Sequence, residues 1–237
     1  MSDATVLACI NLHAVLRNLE DLCELDRTSR EIIGSRKLAI RFRIRGLPAL
    51  ILSFGSGSCA AGKTFGGPVG MDLYFTGPEH FNLMIEGKKN PIPVKGFRYL
   101  GFLKNEFTAL AARLSYYLKP RGNLLVDPEY LRINTTLTAY TAFFAIPEIA
   151  AYDPVGRLSA GRISDGIINI EVSGGPSVHI TAKEGTLSTA KGPSPEARAF
   201  MRFDSMETAN GILSGRLDSY ACLGKGMLSI RGYIPMI

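Results

Sequence analysis

Leu38-Ala39-Ile40-Arg41-Phe42-Arg43-Ile44-Arg45, followed by Gly46-Leu47-Pro48, is the stretch that decides the fold, because the chain states it twice. Leu38, Ile40, Phe42 and Ile44 alternate with mostly polar residues. Successive side chains of a strand point to opposite faces, so the stretch reads as a half-buried antiparallel strand. The Gly-Leu-Pro after it reads as a hairpin turn. Set against residues 128 positions further on, it meets Ile168-Asn169-Ile170-Glu171-Val172 and then Gly174-Gly175-Pro176, with the same alternation and the same turn. The shift holds without a gap from position 40 to position 87. It carries nine identities in 48 positions, among them Gly57/Gly185, Phe75/Phe203, Asn82/Asn210 and Gly87/Gly215.

Outward from this strand the two copies stay in step. Leu50, Leu52 and Phe54 stand against Val178 and Ile180 as a second strand, and 55–57 stands against Lys183-Glu184-Gly185 as a turn. A short third strand and a Gly/Pro-rich loop lead to a fourth strand, Met71-Asp72-Leu73-Tyr74-Phe75 or Ala199-Phe200-Met201-Arg202-Phe203. The period then becomes helical, with Phe81, Met84 and Ile85 matching Ala209, Ile212 and Leu213, and each helix stops at Gly87 or Gly215. A last strand is expected from Lys95-Gly96-Phe97 and from Lys225-Gly226-Met227. Each copy opens with an amphipathic helix, 4–25 or 135–152, and the first alone adds a helix over 104–118. The expected fold class is α+β. Two tandem domains, 1–120 and 135–237, are joined by a linker at 121–134, and each is a five-stranded, mostly antiparallel sheet covered by helices.

The 237 residues are 46% apolar and 20% charged. That composition suits buried cores and excludes a disordered chain, a collagen or a disulfide miniprotein. The apolar run 47–54 is too short to span a bilayer, and 135–152 is interrupted by Pro147 and Glu148. Asp3 stands where a secretory leader carries positive charge, so a cytoplasmic location is expected. Cys9, Cys23, Cys59 and Cys222 form no CxxC, and His13, His80 and His179 form no ligand-spaced pair, so neither a metal nor a cofactor is expected. Cys9 and Cys23 fall on nearly one face of the first helix and read as small buried hydrophobes. Residues 1–121 carry a net charge of +7 and residues 122–237 carry −1. A basic first half would suit an anionic partner, although a solvated surface explains it more simply; nucleic acid is not expected.

The order of motifs in the second copy is Asp165-Gly166, Gly175-Pro176, Glu184-Gly185, the helix ending in Leu213-Ser214-Gly215, and Gly224-Lys225-Gly226-Met227-Leu228-Ser229-Ile230-Arg231-Gly232. This resembles the sterol carrier protein 2 (SCP2-like) family over residues 135–237, and the first copy shares the likeness through the repeat. The resemblance implies helices over a five-stranded sheet, enclosing an apolar tunnel for lipids. It departs from that pattern where the first copy carries Lys95-Gly96-Phe97-Arg98, and where the chain ends Pro235-Met236-Ile237 without a peroxisomal address. It implies a non-enzymatic protein that binds a lipid or other apolar small molecule, with lipid transfer as an extension. The implied walls are Phe143, Phe144, Met206, Ile212, Leu213, Leu217 and Met227. The alternatives are a structural or interaction protein without a pocket and, least favoured, a nucleotide-binding protein.

That last alternative rests on Gly57-Ser58-Cys59-Ala60-Ala61-Gly62-Lys63-Thr64, which fits the phosphate-cradling pattern G-x4-G-K-[ST]. Such a loop must run into a helix N-terminus, and Phe65-Gly66-Gly67-Pro68 cannot begin one. No catalytic constellation is composed: His179 has no evident fixed partner, and Glu79 and Glu207 suit helix starts. Asn82 and Asn210 are read as hydrogen-bonding within their domains. Arg41, Arg43 and Arg45 share the outer face of the first strand. They read as the solvated charges of an edge strand or, functionally, as a docking face for anionic lipid head groups.

Overall fold

The computed structural model describes residues 3–121 and 123–236. Gly122, inside the expected linker, and the terminal Met1, Ser2 and Ile237 lie outside the described residues. The chain divides into two compact units, 2–119 and 120–237.

The first unit opens with a helical path: α1 (Asp3–Ile10), a π-helical turn (Asn11–Val15), a 3-10 turn (Leu16–Asn18) and α2 (Leu19–Leu25), followed by α3 (Arg27–Ile33). Strands β1 (Leu38–Ile44), β2 (Leu50–Gly55), β3 (Ser58–Gly62) and β4 (Met71–Phe75) come next, then α4 (Pro78–Ile85) and β5 (Ile92–Lys95). They form one sheet in the order β3-β2-β1-β4-β5. The β1–β4 pairing is parallel and the other three are antiparallel. After Gly96 the chain is helical from Phe97 onward, through α5 (Leu100–Phe102) and a π-helical turn into α6 (Thr108–Leu118).

The second unit repeats the plan with α7 (Pro128–Tyr152), α8 (Pro154–Ala160), β6 (Gly166–Val172), β7 (Ser177–Lys183), β8 (Thr186–Lys191), β9 (Ala199–Phe203), α9 (Met206–Leu213), α10 (Ser219–Gly224) and β10 (Leu228–Gly232). Its sheet order is β10-β9-β6-β7-β8. Across the first four strands of each sheet the repeat is kept residue by residue. Ile40 faces Leu52 and Met71, and 128 positions on, Ile168 faces Ile180 and Ala199. The β2–β3 and β7–β8 hairpins turn on Ser56-Gly57 and Glu184-Gly185, all four with positive φ, the two-residue turn that matches strand twist.

Four expectations need correction. Helix α7 starts at Pro128, seven residues before position 135, so the expected linker 121–134 is helical from there on. Asp127 caps the helix by accepting from the Tyr130 N–H, and Pro128 takes the first turn, where a missing N–H costs nothing. In the first unit the fifth strand ends at Lys95, before Gly96, instead of beginning there. Gly96 has φ +87°, and a Cβ on it would run into Gly70 and Met71, so the chain turns away from the sheet at this point. The added helix accordingly begins at Phe97, not 104. Finally, β1 is the central strand of its sheet rather than an edge.

Candidate ligand site

In each unit the helices cover one face of the sheet, and the inward positions of the strands set the space beneath them. In the first unit Phe42, Phe54 and Met71 occupy such positions and α4 contributes Phe81, all at most 2% exposed. Their rings interlock: Phe42 with Phe107 at 5.6 Å, Phe54 with Phe102 at 5.3 Å, and Phe75 with Phe81 edge-on at 5.0 Å. Phe102 and Phe107 come from the helical segment after Gly96, so that segment fills the first unit's interior. At the matching buried positions the second unit has Ile170, Ala182, Ala199 and Ala209. Each replacement removes volume. Met236 recovers part of it by closing on Gly166.

Met206, Ile212, Leu213 and Met227 lie half-buried against that small-residue core, the first three on α9 and Met227 just before β10. Phe143 is part of the core, and its carbonyl accepts from Thr189 Oγ1 at 2.9 Å. Phe144 is buried about 100° further round the helix and faces Tyr140, 6.3 Å away between rings. Leu217 is 39% exposed and folds over Gly211. Five of the seven expected wall residues (Met206, Ile212, Leu213, Met227 and Phe143) thus adjoin one core; Leu217 stands at its margin, and Phe144 is buried against Tyr140, which itself packs on that core. The repeat alignment itself, with Phe54 against Ala182 and Phe81 against Ala209, was the signal that could have separated the two interiors.

The other candidates resolve locally. Cys59 shares a hydrogen bond with Cys23, and this bond together with burial holds its thiol well above its ordinary pKa, so it packs as an inert hydrophobe. Ala60 and Ala61 of the phosphate-loop-like stretch lie in β3 and pair with β2, and β4 is the next regular element after it. His179 does have a fixed partner: its Nδ1 lies 2.9 Å from the Gly192 carbonyl. Asn82 donates to the Ala4 carbonyl and accepts from Asn11, while Asn210 donates to Asn134 and Thr135. The repeated asparagine therefore pins the opening helical segment of each unit to the helix that follows its fourth strand, α4 or α9. Asp72, missed in the sequence, accepts from Arg41 at 2.5 Å and from Arg43 at 3.4 Å, while Arg43 also lies over the Tyr74 ring. A carboxylate at an outward position of an apolar strand was the available sign. Among the described residues no group of three or more His, Cys, Asp or Glu could hold a metal ion, and no helix is long and apolar enough to cross a membrane.

No family model and no curated protein matches the chain. Solved structures do. Sterol carrier protein 2 from Yarrowia lipolytica is 19% identical over 41% of this chain and 88% of its own, with a TM-score of 0.32. The sterol carrier protein domain 2 of Helicoverpa armigera is 19% identical over 42% of this chain and 79% of its own, with a TM-score of 0.34. A stereoselective inverting sec-alkylsulfatase from Pseudomonas is 14% identical over 57% of this chain but 27% of its own, with a TM-score of 0.24. The chain is similar to several sterol carrier protein 2 structures, each over about two-fifths of its length.

Proposed function

We propose that the second unit takes up a lipid or other apolar small molecule between its helices and its sheet, without catalysing a reaction, and that the first unit keeps the fold with its interior filled. The observation that carries this reading is the exchange of Phe42, Phe54, Met71 and Phe81 for Ile170, Ala182, Ala199 and Ala209 at matching buried positions. Small residues under a helix layer leave room for apolar ligand surface, whose transfer from water supplies about 25 cal/mol per Å². Met206, Ile212, Leu213 and Met227, with Leu217 at the margin, form the wall, and flexible thioethers suit a ligand of variable shape. The motif order from Asp165 to Gly232 supports the same reading.

The test is mass spectrometry of lipids extracted from the chain purified without detergent, beside displacement of a fluorescent fatty acid. Ala182→Phe restores the first unit's side chain in the second and is expected to weaken displacement about tenfold or more, as lost apolar contact would. Phe54→Ala in the first unit is expected to leave it unchanged. Equal binding by wild type and Ala182→Phe would place the ligand elsewhere, and no binding by a folded wild type would end the reading.

A further inference from the structure

The outer face of the second sheet, opposite the helices, is concave rather than open. A depression of about 590 Å³ lies over Asn169, Glu171, Phe200, Arg202, Ser229 and Arg231. Its wall is built by the sheet's own side chains. Asn169 both donates to the Ser194 carbonyl and accepts from the Ser194 N–H, each at 2.9 Å, while His179 holds the Gly192 carbonyl. These bonds fold the loop after β8 over the face, with Pro193 on the rim.

Strand register fixes what lies on the floor. Phe200 has Asn169 on one side and Arg231 on the other; one step along, Arg202 stands between Glu171 and Ser229. Outward positions two residues apart on one strand are about 7 Å apart, and facing positions about 5 Å. Both guanidiniums therefore border the Phe200 ring. That ring is 44% exposed. Among the described residues, Glu171, Arg202 and Arg231 make no ion pair with one another or with any other residue. The first unit provides the contrast. Where Phe200 stands it has Asp72, which binds Arg41 and Arg43, and Arg43 covers the Tyr74 ring. Asp72 thus pairs with Arg41 and Arg43 within the first sheet, whereas the second sheet has no carboxylate paired with Arg202 or Arg231 among the described residues.

We propose that this outer-face depression binds a planar aromatic anion, the ring on Phe200 and the carboxylate or phosphate between Arg202 and Arg231. The geometry suits that chemistry, since a guanidinium fork pairs with a planar oxyanion and an aromatic floor stacks with a ring. Glu171 opposes the anion and sets the affinity low. The site is separate from the proposed interior one, because these side chains and those lining the interior lie on opposite faces of the sheet.

The experiment is a titration of the full chain with 2-naphthoate at low salt, followed by NMR, with acetate and 2-naphthalenemethanol as controls. Saturable naphthoate binding is expected, with each control weaker by about tenfold or more. Arg202→Gln and Arg231→Gln should each weaken it by about the same factor, Phe200→Thr likewise, and Glu171→Gln should strengthen it. Because Glu171→Gln predicts a gain, a poorly folded variant cannot imitate the result. Acetate binding as tightly as naphthoate, indifference to both arginine substitutions, or no strengthening by Glu171→Gln would each overturn the proposal.

Discussion

His13 sits in the π-helical turn of the first unit, 6% exposed, between two cationic neighbours, Arg17 and Lys63. Its ring hydrogen-bonds to the Pro48 carbonyl and leaves Nε2 buried without a partner, so the neutral tautomer donates from Nδ1. Burial first, and then Lys63 and Arg17, push its pKa from 6.5 down to about 4, with the bond to Pro48 opposing. The sign of the stability effect follows. Between those two values the unfolded chain binds a proton that the folded chain does not, so stability falls as pH drops from 6.5 towards 4. The shift sets an upper scale on the order of 3 kcal/mol. His13→Leu is expected to flatten the urea midpoint across that window, whatever it costs at neutral pH. An unchanged slope in the variant would assign the acid sensitivity to another group. Nothing in the sequence around His13 announces this: the spacing places it on a helix, but its burial depends on Pro48, thirty-five residues away.

At the scale of elements, the feature that most separates the two units is the helical segment after Gly96, and its docking rests on a polar latch. Asp26 ends α2 and caps α3, accepting from the Ser29 N–H at 3.0 Å and its hydroxyl at 2.6 Å. The same carboxylate accepts from Arg113 at 2.7 and 3.0 Å and from the Tyr117 hydroxyl at 3.2 Å, both on α6. Burial raises the Asp26 pKa, but the bonds from Arg113 and Ser29 outweigh it and leave it below the ordinary value. Its contribution is therefore present above the usual carboxylate pKa and fades as pH falls through it. Tyr117, pushed up to about 12 by burial and then by Asp26, stays protonated and donating throughout. Arg113→Met should destabilise the first unit by about 2–4 kcal/mol, since it strands a buried carboxylate. Tyr117→Phe should cost nearer 1 kcal/mol. Both are read by urea unfolding at pH 7, and a neutral Arg113→Met would show that the latch holds nothing. Periodicity made the body of this helix legible, because Leu110 and Leu114 recur at helical spacing. Its start was not, since the positive φ at Gly96 answers to the close approach of Gly70. Asp127-Pro128 likewise reads equally well as linker or as N-cap and first turn, and only the buried Tyr130 and Ile133 decide for helix.

For the whole molecule, duplication explains what sequence could reveal and divergence explains what it could not. Register, turns and strand order follow from backbone constraints that both copies share, so Gly46, Gly57 and Gly87 recur as Gly174, Gly185 and Gly215 with the same positive φ. The interiors and outer faces are set by side chains meeting across elements, where a change such as Phe81 to Ala209 matters only once its neighbours are known. If each copy is a domain with its own core, the polypeptide should survive division. Residues 2–119 and 120–237, expressed separately, are each expected to unfold cooperatively with the heat-capacity change of a domain of that size, about 1.2–1.5 kcal/mol/K per 100 residues. The proposed division of labour adds a sharper expectation. Apolar ligand displacement and 2-naphthoate binding should both travel with 120–237, and 2–119 should show neither. Ligand binding by 2–119 would mean that Phe102 and Phe107 leave its interior open. A half that fails to fold alone would mean that the repeat is one cooperative structure rather than two. Calorimetry on the two halves, followed by the same titrations, separates these outcomes.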